Sequence, residues 1–235
     1  MDNDFAKDLL ETLRPYLKGL DLSGFKKMSC VQEPNSKMNA GVIGKQIEIN
    51  REYFERMKAQ IQSGDVIACS NLVNTLHHEF CHIDVDNRMP CLTQVLEEKD
   101  IFPKGIAMRV IREFLACTLS SNSMTVDYLK QRQAEGTQEI NMLSKDRDIK
   151  TYCDIVCDLA YLIGECCRKP FGYFHRLCDY IEDDVVRELA VSLKSVLCDL
   201  EEKLPIESDT DFEPVCQLIR TGWIQFQEIE NKIEI

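Results

Sequence analysis

The sequence predicts an α+β protein that is predominantly helical, with a small sheet near its start and helices thereafter. Two observations carry this. Alternation of the β type is confined to VIGKQIEIN at 42–50, through Ile47 and Ile49. Elsewhere, and throughout 124–235, apolar residues recur three and four positions apart.

In chain order, Phe5, Leu9, Leu10, Leu13 and Leu17 mark a first helix over 4–18, which Pro15 bends or ends. Gly19 and Gly24 break that pattern. The stretch 25–41 is mixed, with a turn at Pro34-Asn35-Ser36, and one or two strands follow over 42–50. Asn50 is placed to cap the helix REYFERMKAQIQ, which closes at Ser63-Gly64. A second helix then runs from about Asp65 to Val85. A loop over Asn87 to Pro90, a short helix near 91–98 and a break at Pro103 lead to the helix at 105–120. Beyond Ser123, helices are expected over 124–135, 138–168, 173–203 and 211–233, separated by Gly136, Pro170-Phe171-Gly172 and Pro205. The change of character divides the chain into a domain over 1–123 and a helical extension or small helical domain over 124–235.

At 235 residues, with 44% hydrophobic and 29% charged, the chain can bury a core and is not a disordered polymer. Forty acidic against 28 basic residues give a net charge of −12, which repels phosphate backbones and anionic lipid. Direct nucleic-acid binding is therefore not expected, and neither is a membrane. No apolar run nears the ~20 residues a spanning helix needs, and the acidic, amphipathic N-terminus is unlike a signal peptide. A cytoplasmic protein is expected. Its twelve cysteines lie scattered in apolar helical stretches, so they read as reduced, mostly buried thiols rather than a disulfide framework.

Only four histidines are present, and three of them, His77, His78 and His82, fall within six residues. His78-Glu79-Phe80-Cys81-His82 is an HExxH motif inside a predicted helix. Residues at i and i+4 share a helical face, so His78 and His82 can reach one zinc ion while Glu79 lies beside them as a general base. Zinc acidifies a water toward a pKa of ~7, and a carboxylate at that position takes its proton during attack on a carbonyl. Asn71, Asn74, Thr75, His78 and His82 form a polar stripe opposite Leu72, Leu76, Phe80 and Ile83. Such a stripe suits a cleft, and an exposed helix face would look the same.

A catalytic zinc site commonly has three protein ligands and an open position. The extended HExxHxxGxxH pattern is not followed, because Val85 and Arg88 occupy its glycine and third-histidine positions. A carboxylate is then sought among Asp84, Asp86, Glu97, Glu98 and Glu113. Glu113 sits among Ile106, Val110, Ala116 and Cys117 on an otherwise apolar helical face. A buried carboxylate there needs a partner, which a metal provides and which Arg109 at i−4 would also provide. Glu97 and Glu98 belong to a solvated EEKD run. Asp84 and Asp86 are alternatives as acceptors that orient a ligand histidine.

The helix-borne HHEFCH, the strand-like GKQIEIN before it, and Glu113-Phe114-Leu115-Ala116 thirty residues after it resemble the ImmA/IrrE type of HExxH metallopeptidase over roughly residues 40–120. The resemblance implies a zincin-like domain with a small sheet and an active-site helix, and a gluzincin-like site. In it an ExxA-like element supplies the third ligand, here Glu113 with Ala116. It further implies zinc as cofactor and a protein or peptide substrate, with a transcriptional regulator as one class. The proline-ending element that often follows ExxA is absent, and residues 124–235 lie outside the resemblance.

His175, Tyr161 and Tyr173 are candidates for stabilising an oxyanion. Cys153 and Cys157 share a helical face, but i,i+4 cysteines within an apolar helix are unlike the loop-borne pairs of closed zinc sites. Phosphate-loop, nucleophile-elbow and dinucleotide fingerprints are missing. The function expected is hydrolysis of a peptide bond by a zinc peptidase with metal ligands His78, His82 and Glu113 and base Glu79. The rival is an inactive zinc-binding interaction protein that uses its C-terminal helices to bind a partner.

Overall fold

The computed structural model describes residues 3–32, 39–94, 96–97, 101–169 and 172–228. The turn expected at Pro34-Asn35-Ser36, the break at Pro170-Phe171, the last residues of the final helix and Glu98 lie outside these. Among the described residues the chain is mostly helical with one three-stranded sheet, as the α+β expectation required. Residue contacts separate two units, Met1–Arg88 with Leu119–Leu129, and Met89–Thr118 with Lys130–Ile235.

The first unit begins with α1 (Asn3–Leu17), which runs through Pro15 and ends before Gly19, whose φ is +93°. Strands β1 (Lys27–Val31), β2 (Ala40–Ile43) and β3 (Gln46–Asn50) form a sheet of order β1-β3-β2. Central β3 pairs parallel with β1 and antiparallel with β2. The β2–β3 hairpin turns through Gly44 and Lys45 at φ +53° and +65°, the pair of positive values a two-residue hairpin of matching twist requires. Lys45 adopts this conformation while its Nζ donates to Asn87 Oδ1 and to the Ser23 carbonyl. β1 is a finding beyond the one or two strands expected at 42–50.

Asn50 caps α2 (Arg51–Gln62) by accepting from the Tyr53 N–H, and Ser63 and Gly64 close it. Helix α3 (Val66–Arg88) starts at Asp65, whose Oδ1 accepts from the Ile67 and Ala68 N–H groups. It continues past the loop expected at Asn87. The core of this unit packs Ile47 and Ile49 of β3 with Leu9 and Leu13 of α1, Phe54 of α2, and Leu72, Leu76 and Phe80 of α3. Each side chain of this size removed from water contributes about 1.5–3 kcal/mol, so the sheet serves as a floor that fixes α3.

In the second unit, the short helix expected near 91–98 is only a 3-10 turn at Pro90–Thr93. There follow α4 (Ile106–Ser120) and α5 (Val126–Leu143), of which the stretch Leu119–Leu129 belongs to the first unit, then α6 (Ile149–Cys167), α7 (Tyr173–Tyr180), α8 (Asp184–Glu201) and α9 (Glu213–Glu228). Among the described residues, 124–228 carry no strand. Gly136 does not separate helices but lies inside α5. A Cβ there would meet Leu162 at 2.8 Å, so the residue is small because α6 approaches closely. The break falls instead at Ser144–Asp148, where Asp148 caps α6 through the Thr151 N–H. The helix expected over 173–203 is two helices, because Asp183 caps α8 by accepting from the Val186 N–H. Tyr152, Phe212 and Phe226, each nearly inaccessible, centre the core of this unit. No described helix is long and apolar enough to cross a membrane.

Candidate metal centre

The middle of α3 is buried on every side. Of the polar stripe, Asn74, His78 and His82 are buried and Asn71 and Thr75 half-buried, so none lies on an exposed helix face. Enclosing Asn74, His77, His78, Glu79, His82 and Asp84 in one helix requires that each find a partner, since an unsatisfied buried polar group costs about 1–3 kcal/mol.

The partners are specific. Asn71 Oδ1 accepts from the hydroxyls of Tyr53 and Tyr128, and Thr75 Oγ1 lies 2.9 Å from the Tyr53 hydroxyl. Asn74 Nδ2 donates to the Ser120 carbonyl and to Ser123 Oγ, binding α3 to the end of α4. His77 Nδ1 lies 3.1 Å from the same Ser123 Oγ, and its ring packs against Tyr16. Burial pushes the His77 imidazole down to about 4, so it is neutral at ordinary pH. Asp84 accepts from the Asp21 N–H and from Arg88 Nε, tying the end of α3 to the chain after α1. Both of these bonds are to Oδ1. Asp86 is half-buried in the last turns of the helix.

His78 and His82 differ from these. Their Nε2 atoms face each other at 2.9 Å, with the rings nearly perpendicular. Glu113, half-buried on α4, is flanked by the fully enclosed Val110, Phe114 and Ala116. One ligand atom from each of His78, His82 and Glu113 lies within 4.8 Å of the others, a group that could hold a metal ion. Two imidazole nitrogens each 2.0–2.1 Å from one tetrahedral ion stand about 3.3 Å apart, so a small ring rotation separates the observed pair from a chelating one. The donor set of two imidazoles and a carboxylate suits a first-row divalent ion such as zinc or iron(II). Glu79 is buried on the same helix.

The remaining candidates take ordinary places. Glu97 is exposed, as is His175 on α7. The Arg132 guanidinium lies over the Tyr161 ring at 5.0 Å, and that of Arg176 over Tyr173 at 5.6 Å. All twelve cysteines are free thiols and none is exposed. Burial pushes the Cys157 thiol up to about 12, which keeps it protonated at ordinary pH. The tethers from Asn74 and His77 to Ser120 and Ser123 are features the sequence reading did not find. No local pattern announces a partner 46 residues away.

Comparison with family models, with curated proteins and with solved structures gives no match, so the reading of this centre rests on its own geometry and chemistry.

Proposed function

We propose that this chain is a zinc-dependent peptidase with a zincin-like first part, in which His78, His82 and Glu113 hold the ion and Glu79 is the general base. The observation that carries the reading is the pair of facing, buried Nε2 atoms one helical turn apart, with a buried carboxylate between them in sequence. Zinc bound there supplies Lewis acidity, polarising a carbonyl oxygen and making water acidic near neutral pH.

The protein's own residues supply the rest. Asn74 and His77 hold α3 against the end of α4, fixing the face that bears the two ligand histidines. Glu79 receives the proton of the attacking water and passes it to the departing amine nitrogen, so the carboxylate finishes the cycle as it began. Burial of the helix keeps bulk water away from this transfer. Substrates of this reading are proteins or peptides, and the likeness of HHEFCH and Glu113-Phe114-Leu115-Ala116 to ImmA/IrrE-type peptidases suggests a regulatory protein among them.

The test is Glu79→Gln, which keeps the shape and removes the base. Zinc content should be unchanged, while cleavage of a peptide library by the parent protein should fall at least a hundredfold in the variant. Equal cleavage by the two proteins would sink the mechanism, and a parent that holds zinc but cleaves no protein or peptide would favour the interaction-protein alternative.

A further inference from the structure

In a chain of net charge −12, the second unit carries a groove whose charged walls are mostly basic. It lies along α5 and α7 and has a volume of about 600 Å³. Lys130 and Lys145 stand towards its two ends and Arg176 on the α7 side, against the single carboxylate of Glu182. Met142 and Tyr180, 58% and 57% exposed, add apolar surface to the same walls.

The groove is held in shape before anything enters it. Gln133, buried in its floor, donates from Nε2 to the Tyr173 carbonyl at the start of α7. Asn141, two turns further along α5, donates to the Tyr180 carbonyl at the end of α7 and accepts from the Glu182 N–H. Both ends of α7 are thus pinned to α5, and a rigid wall loses little entropy on binding.

The spacing of the cations selects the ligand. Lys130 stands near the start of α5 and Lys145 in the turn just after its last residue, Leu143; the helix between spans about 20 Å, so these two charges are spread along its length and do not converge on one phosphate. A strand-like segment rises about 3.3 Å per residue, so about six residues span that length. Met142 and Tyr180 offer contact for apolar side chains between the acids. A nucleic-acid strand matches this less well, because it meets the repulsion of the surrounding acidic surface without using the apolar wall.

We propose that this groove docks an extended acidic peptide segment of a protein partner. An acidic chain is repelled by most of the molecule and attracted here, so charge steers it to one place. The proposal stands on the groove alone and does not depend on the zinc chemistry.

The test is fluorescence anisotropy with a labelled ten-residue peptide of Glu and Asp carrying one Leu and one Phe. A Lys-for-acid version of the peptide and a ten-nucleotide single-stranded RNA serve as comparisons. The acidic peptide should bind at low salt with a Kd on the order of 10 µM, and the Lys version and the RNA should not. Lys130→Glu with Lys145→Glu should weaken binding at least tenfold, and Tyr180→Ala with Met142→Ala several-fold. All four side chains are exposed, so thermal melts should match the parent. Undiminished binding by the charge-reversed protein overturns the proposal, as does absence of peptide binding or RNA binding in its place. Because nothing is turned over, the result is independent of whether Glu79 acts as a base.

Discussion

The Nε2 atoms of His78 and His82 stand 2.9 Å apart in the buried middle of α3. Two imidazole nitrogens so placed either share a proton or share an ion, and with Glu113 they form a group that could hold one. The protein purified without added metal should therefore hold about one zinc per chain by elemental analysis. His78→Ala and His82→Ala should each abolish tight binding. Zinc at a thousand times its Kd stabilises by about 4 kcal/mol, so a chelator should lower Tm by roughly 8–16 °C. Unchanged zinc content in both alanine variants would show the site to be elsewhere.

Glu113 sets the next expectation, because it comes from a separate helix and rests on its position in an apolar face. Glu113→Gln should weaken zinc affinity about a hundredfold or more, whereas Glu97→Gln, at an exposed position, should leave it unchanged. In chelator the sign changes. Removing a partly buried carboxylate that lacks its metal relieves a desolvation cost, so the variant should melt at or above the parent. Equal destabilisation with and without chelator would make Glu113 a structural ion-pair partner and reopen the search for the third ligand.

What the sequence disclosed follows the range of the interactions. The Asn50 cap, α2 and α3 were legible because a cap and a helical period act over a few residues. β1 was not, since the alternation of Met28 and Cys30 with Lys27 and Ser29 is only one period-two repeat long, and KMSCV becomes a strand by pairing in parallel with β3. Gly136 was misread as a break because a glycine inside a helix looks the same whether it stops the helix or admits a neighbour such as Leu162. The continuous period over 173–203 hid the break at Ile181-Glu182-Asp183, although Asp183 is itself a capping residue. At the site, the i,i+4 histidines were legible and the commitment of Asp84 to Asp21 and Arg88 was not, because Asp21 lies 63 residues away.

The approach of α6 to α4 gives a third expectation. A Cβ at Gly164 would lie 2.6 Å from the Phe114 carbonyl oxygen and 2.6 Å from Cys117 Cβ. Neither is the flexible end of a side chain, so the helices must move apart. Gly164→Ala should destabilise by about 1–3 kcal/mol in a denaturant titration, although alanine favours a helix over glycine by up to ~1 kcal/mol. A neutral or stabilising effect would mean that the two helices pack less closely than described.

A last expectation concerns pH and comes from Asp158 on α6. Burial pushes its carboxyl up from 3.8 to about 6, helped by Glu139 and Asp154 and opposed by Arg109 and Arg132. A carboxyl raised in the folded state contributes stability that is complete below its unfolded pKa near 4 and is lost as pH rises through about 6. Above that point the folded protein must hold a charge it solvates poorly. Asp158→Asn removes the charge at nearly constant shape, so the variant should be more stable than the parent at pH 7.5. The gain should be on the order of 1–3 kcal/mol, reduced by whatever solvent reaches the group. Below pH 4 both side chains are neutral and the two melting curves should coincide. Thermal melts of parent and variant between pH 4 and 8 read this directly. A variant that melts below the parent at pH 7.5 would show instead that Asp158 is ionised and held by Arg109 or Arg132, and its loss would then leave a guanidinium without its counter-charge.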